Sequence, residues 1–154
     1  MHISSKCSIA VHCLIFIHEY GEENRVTSEL LALSTGCNPV TIRNIISAMK
    51  KDGIIDVKPG TGGATLAAPL QHISLYRICA AVEPRAIEKM IRIHSAPSPF
   101  CPVGRNISGV LDQTYATLRE NLIDSMKSVT MDAIVKDYHA ALASEKQHTR
   151  GQQE

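Results

Sequence analysis

The chain has no tryptophan, and its 154 residues include only two phenylalanines and four tyrosines. A core built from it must be filled by Ile, Leu, Val and Ala. That composition favours packed helices over a β-sandwich. Charge of one sign is also missing: 16 Lys and Arg against 15 Asp and Glu leave a net charge of +1. The chain is therefore no polycation, and any nucleic-acid surface has to come from local charge. Paired cysteines are missing as well. The five cysteines (Cys7, Cys13, Cys37, Cys79 and Cys101) are odd in number, widely spread and without a CxxC pair. A disulfide framework is not expected, and reduced thiols are the default. No apolar run reaches membrane-spanning length. The apolar stretch Ile9–Ile17 is interrupted by His12 and followed by His18 and Glu19, without a small-residue cleavage site, so it does not read as a signal peptide. A cytoplasmic protein without a membrane partner is expected.

Catalytic and metal signatures are absent too. The seven histidines include no HxxxH or HExxH spacing that would put two imidazoles on one helical face. Gly60, Gly62 and Gly63 are not followed by the GK[ST] of a phosphate-binding loop, and there is no GxSxG. Neither an enzyme nor a metal site is expected.

What the chain does carry is an ordered set of helix and turn signals between residues 27 and 68. Thr27 is a good N-cap for a short helix over Glu29–Leu33, with Leu30 and Leu31 facing inward. Gly36 supplies a turn residue tolerant of positive φ. Asn38 then caps a second helix whose first position is Pro39, where the missing N–H costs nothing. Ile42, Ile45, Ile46 and Met49 recur at helical spacing, and Gly53 stops the helix after Lys51. Its other face carries Thr41, Arg43, Asn44, Ser47 and Lys50. Ile54–Lys58 and Ala64–Ala67 read as two short strands around a turn-rich tip. This is a helix-turn-helix with a hairpin wing.

Around it, a first helix capped by Ser4 or Ser5 and running to about Tyr20 is apolar on much of its surface, hence central. A fourth helix is expected over 70–83, ended by Pro84, and a short one over 85–94. The run SAPSPFCP reads as a loop. A long helix is expected from about Asn106 to Met126, with an apolar stripe of Ile107, Val110, Leu111, Thr114, Tyr115, Leu118, Leu122 and Met126. Thr130 caps a last helix. The domain reading is 1–69 for the winged helix-turn-helix, 70–144 for the linker, loop and long helices, and 145–154 for a polar, disordered tail. The fold class is mainly α with a small β-hairpin.

In a helix-turn-helix the second helix lies in the major groove with its N-terminal residues against base edges. Here those are Asn38, Pro39, Val40, Thr41, Arg43 and Asn44. Arg pairs bidentately with guanine, Asn with adenine, and Thr or Val meets a thymine methyl. Thr27, Ser28 and Lys51 are candidate phosphate contacts. The tip from Lys58 through Gly60, Thr61, Gly62 and Gly63 is small enough to approach a minor groove. The competing reading of this helix is an ordinary solvated face on a protein-interaction module, which the near-neutral charge favours.

The stretches SSKCSIAVHCLIFI, NPVTIRNIISAMKKDGII, PGTGGATLA, ISLYRICAAVE and CPVGRNISGVLDQTYATLRENL resemble the Rrf2 family of bacterial winged-helix regulators over nearly the whole chain. The resemblance implies a homodimer built on the long helix, two winged helices on a palindromic operator in double-stranded DNA, and, most often, repression. Its cluster-binding members carry three closely spaced cysteines before the long helix. Here residues 84–106 contain only Cys101. One thiolate per subunit cannot hold an iron–sulfur cluster, and a loop histidine such as His94 is more often solvated than a ligand. No cofactor is expected; the chain is similar to the cluster-free members whose loop reads CPVG. Cys101 is the sensor candidate, because a helix N-terminus and Arg105 both favour its thiolate.

Overall fold

A computed structural model describes residues 5–60 and 63–150, with side chains described through 146. Ser4, the alternative first cap, and Thr61 and Gly62 of the wing tip lie outside the described residues. The central helix α1 (Ser5–Tyr20) buries Cys7, Ala10, Cys13, Leu14 and Ile17, a single face at three- and four-residue spacing. Helix α2 (Ser28–Thr35) is capped as expected: Thr27 Oγ1 accepts from the Leu30 N–H at 3.2 Å. Gly36 ends it at φ 68°, the left-handed conformation its turn requires.

Helix α3 (Pro39–Lys51) starts where Asn38 Oδ1 accepts from the Val40 N–H at 2.8 Å, and it buries Ile42, Ile45 and Met49. It ends in a Schellman arrangement: the Gly53 N–H donates to the Lys50 carbonyl and the Ile54 N–H to the Met49 carbonyl, both at 3.0 Å. The wing follows as β1 (Ile55–Lys58) and β2 (Gly63–Leu66), antiparallel, with Ile55 opposite Leu66 and Lys58 opposite Gly63. The Ala64 N–H also donates to the Val26 carbonyl at 2.9 Å, which ties the wing to the segment entering α2.

Beyond the wing the structure corrects several expectations. The single helix expected over 70–83 is broken: a 3-10 turn at Leu70–His72 precedes α4 (Leu75–Val82). Ser74 causes the break. Its Oγ caps α4 by accepting from the Arg77 N–H at 3.2 Å, and its extended backbone bridges Thr130. Helix α5 is only Ala86–Met90, and α6 runs from Pro102 to Ser128 instead of starting near Asn106. Pro102 occupies the first helical position, as Pro39 does in α3. Helix α7 begins after Thr130, whose Oγ1 accepts from the Ala133 N–H at 3.4 Å. It continues to Arg150. The tail expected to be disordered from 145 is therefore helical through 150, and residues 151–154 lie outside the described residues.

One main cluster of apolar side chains draws on α1, α2, α3 and the wing, and also on Ile73, Ile78, Met131 and Val135. Met131 is fully enclosed. A guanidinium fastens α4 to the end of α3: Arg77 Nε donates to Asp52 Oδ2 at 2.7 Å and Nη2 to the Asp52 carbonyl at 2.8 Å.

Candidate nucleic-acid interface

The capped N-terminus of α3 stands free of the rest of the molecule. Asn38, Pro39, Val40, Arg43 and Asn44 are exposed and Thr41 is half-buried, whereas Ile42 and Ile45 on the reverse of the helix are sealed in the core. Helical periodicity alone produces this division, because residues three and four apart share a face. Val40 is 58% exposed, an apolar side chain held out at the leading turn.

Beside α3 lies a concave cleft of about 450 Å³ formed with the start of α2 and the wing. It brings together six of the residues named from the sequence: Thr27, Ser28, Arg43, Lys58, Gly60 and Gly63. Lys51, though exposed, does not line it. Three further residues that the sequence reading had not assigned to DNA line it: Arg25, Ser47 and Lys50. Lys50 Nζ donates to the Val57 carbonyl at 3.2 Å, so its charge sits between α3 and the wing. Arg25 gave no local signal, since it lies in the polar loop before α2. Only the folded arrangement puts it with Lys58.

One acid shares this basic cleft. Glu29 Oε1 is 3.3 Å from Arg43 Nη2, with both side chains well exposed. Its carboxyl is held below the usual glutamate range by hydrogen bonding to its own backbone N–H, then by Arg43 and by the hydroxyls of Ser28 and Thr27. Glu29 is in the first turn of α2, where the helix dipole favours an anion. Leu30, expected to face inward, is 37% exposed, and Leu33 is 81% exposed; Leu31 and Ala32 make the inward contacts. The inward stripe of this short helix is thus narrower than its apolar content suggests.

The expected long-helix stripe divides in two. Val110 and Leu118 are exposed, at 66% and 48%, and Thr114 with them; Ile107, Leu111 and Tyr115 are half-buried. Met126, by contrast, is buried inside its own chain against Cys7 and Cys79, with Leu122 packed on the same cluster. Met126 is therefore corrected from a surface position to a core one. Phe100 and Val103, at 93% and 69% exposure, extend the exposed apolar part towards the start of α6. Cys101 is exposed at the N-cap of α6, and Arg105 follows one turn later, its N–H donating to the Cys101 carbonyl at 3.0 Å.

The sequence profile of the Rrf2 family, described as an iron-dependent transcriptional regulator, matches residues 3–137. A Bacillus subtilis protein named as an HTH-type transcriptional regulator, YwnA, is 31% identical over 133 residues, which is 86% of this chain and 96% of that one. A crystallographic structure of a transcriptional regulator from Lactobacillus plantarum superimposes with a TM-score of 0.71 at 26% identity, covering 94% of this chain and 97% of that one. The oxidised form of Staphylococcus aureus CymR shares the fold, with a TM-score of 0.63 at 17% identity over 88% of this chain and 96% of that one. Cys101 is the only cysteine in residues 84–106, and no three His, Cys, Asp or Glu side chains are grouped to hold a metal ion among the described residues. No helix among the described residues is long and apolar enough to cross a membrane. With its winged head and a family match over most of its length, the chain belongs to the Rrf2 family of transcriptional regulators, which are DNA-binding proteins and not enzymes.

Proposed function

We propose that the protein acts in the cytoplasm as a homodimeric, cluster-free repressor that reads a palindromic operator with two copies of α3. The observation that carries this reading is the exposed, capped end of α3 beside a cleft holding Arg25, Arg43, Lys50 and Lys58. Arg43 and Asn44 would read base edges, Thr27 and Ser28 would hold phosphate, and the wing from Lys58 to Gly63 would follow the backbone. The apolar side chains Phe100, Val103, Val110 and Leu118 support dimerisation through α6, since a lone protomer leaves them in water. Cys101 is the proposed thiol input: an exposed sulfur at the head of that helix could change the spacing of the two heads when modified.

Selection of bound duplexes from a random pool, followed by electrophoretic shifts, tests the reading. Arg43→Ala and Asn44→Ala are each expected to weaken the selected site by roughly 1–3 kcal/mol and to relax one base preference. Unchanged shifts in both variants would remove α3 as the reading element. Sedimentation that shows only monomers at micromolar concentration would remove the dimer. Equal loss of operator affinity after mild peroxide in wild type and Cys101→Ser would remove the Cys101 input. The reading as a protein-docking module draws on one observation, the Glu29 carboxylate that half-neutralises Arg43. It predicts no selected duplex and a stable complex with another protein.

A further inference from the structure

Two cysteines that DNA reading does not use face each other beneath the head. Cys7 on α1 and Cys79 on α4 are 2% and 3% exposed, and with Met126 of α6 they form a small apolar cluster separate from the main core. Their side chains pack in that one cluster, and each thiol shifts the titration of the other. Cys79 also lines a cavity of about 360 Å³ enclosed by α4, α5 and α6. The cavity walls are apolar at Ile87, Ala116 and Ile123. Its charged lining residues are Glu83, Glu88, Glu120 and Arg119; Glu83 pairs with Lys89 at 3.5 Å and Glu88 with Arg85 at 3.2 Å.

We propose that Cys7 and Cys79 are a modification site, a buried dithiol that an uncharged hydroperoxide oxidises to an intramolecular disulfide joining α1 to α4. The two side chains share one packed cluster, and a disulfide requires their sulfurs to close to about 2.05 Å. The cavity, apolar at Ile87, Ala116 and Ile123, gives a small uncharged molecule a route to Cys79, and an anion would have to leave water to enter it. The two titrations are linked: the Cys79 thiol lowers Cys7 below its ordinary range, against burial and the charge of Glu83, and Cys79 is raised by Cys7 and by burial. The reactive form is the microstate of the singly deprotonated pair that carries its charge on Cys79, the member of the pair that lines the cavity.

That sulfur attacks the terminal oxygen of the hydroperoxide and the O–O bond breaks. The alkoxide leaves as the alcohol after taking a proton, and Cys79 becomes a sulfenic acid. The Cys7 sulfur then displaces the sulfenic oxygen, which leaves as water. Two thiols and one hydroperoxide give one disulfide, one alcohol and one water, and the two electrons come from the sulfur pair. Helix α4 packs on α1, α3 and α6, so the new bond would lock the winged head to the long helix. That last consequence rests on the roles proposed above for α3 and α6; the modification itself does not.

The test is a disulfide map of the reduced full-length protein after treatment with cumene hydroperoxide, hydrogen peroxide or the anionic oxidant peroxymonosulfate. Samples are quenched in acid, alkylated, digested without reduction and analysed by mass spectrometry. The expected result is a linked pair of peptides carrying Cys7 and Cys79, two hydrogens lighter than the two free peptides, whatever the state of the exposed Cys101. Cys101→Ser should form the same link at a rate within about twofold of wild type, and the uncharged oxidants should outpace the anionic one once each rate is divided by that oxidant's rate with 2-mercaptoethanol. Cys7→Ala should lose the link. If that variant does not fold, the wild-type map decides alone. Five alkylated cysteines after treatment, or a link between Cys13 and Cys37, would overturn the proposal, and a faster anionic oxidant would overturn the assigned oxidant class. The map needs no DNA, so its failure and the failure of the operator reading are separate results.

Discussion

Replacing Arg77 by alanine isolates the clamp that holds the C-terminal end of α3. Its guanidinium spends two donors on one residue: Nε on the Asp52 carboxylate at 2.7 Å and Nη2 on the Asp52 carbonyl at 2.8 Å, with Nη1 3.3 Å from the His72 carbonyl. Asp52 is the C-cap of α3, so the cation also sits at the negative end of that helix. A hydrogen bond to a charged group is worth about 1.5–3 kcal/mol when enclosed, and an exposed ion pair about 0–1 kcal/mol. The Arg77 and Asp52 side chains are 31% and 38% exposed, which places this clamp between those limits. The expected loss in Arg77→Ala is about 1–2 kcal/mol. With a urea m-value of roughly 1–3 kcal/mol/M, the unfolding midpoint should fall by about 0.3–2 M at unchanged slope and fixed protein concentration. Arg77→Lys keeps the charge but not the fork, and should recover less than half of the loss. Asp52→Asn spares the bond to the carbonyl and should cost less than Arg77→Ala, and the two changes should couple by about 0.5–1 kcal/mol in a double-mutant cycle. An unchanged midpoint in Arg77→Ala, or strict additivity in the cycle, would refute this account of the clamp.

Gly63→Ala should cost about 2–3 kcal/mol, read as a thermal or urea midpoint, because Gly63 has φ 74° and a Cβ would lie 2.8 Å from Val26 N and 2.9 Å from Val26 O; a neutral substitution would mean that the wing is not held against the segment entering α2. Burial pushes the Cys13 thiol up to about 12. Timed iodoacetamide labelling of the native protein at pH 8 should therefore leave Cys13 unmodified long after the exposed Cys101 is blocked, and equal rates would contradict the packing of α1. Glu29→Gln removes the acid from the basic cleft and should raise duplex affinity with a steeper salt dependence, measured by fluorescence anisotropy. Because the Glu29 carboxyl is depressed by its backbone N–H and Arg43, its ionised contribution is complete above the ordinary glutamate pKa and is lost only as pH falls through the lowered value. An NMR titration at or above the ordinary value would reject that contact.

Cap chemistry made the head legible. Thr27, Asn38 and Pro39 act on backbone groups two or three residues away, so their effect is written locally, and the structure places them at the helix starts they signalled. The same logic was available at Pro102 but was hidden by the proline run before it, which reads as loop throughout. The break at Ser74 was not legible, because it depends on a partner, Thr130, from the far end of the chain. The cleft was half legible: Arg43 and Lys58 stood out by element, while Arg25 and Lys50 gain meaning only when the loop, α3 and the wing come together. Met126 fits an apolar surface stripe by spacing alone, and only the docking of α1 and α4 claims it for the interior. Nothing in the spacing of Cys7 and Cys79 announces that they touch.

The apolar core that α3 shares with α1, α2 and the wing is completed by Met131 and Val135, contributed long after the wing has been made. During synthesis, then, the head cannot finish folding until most of the polypeptide has left the ribosome. A premature stop before residue 131 would yield an unfinished body with oily flanks open to water, a substrate for chaperones and proteases and not a miniature competitor for the operator.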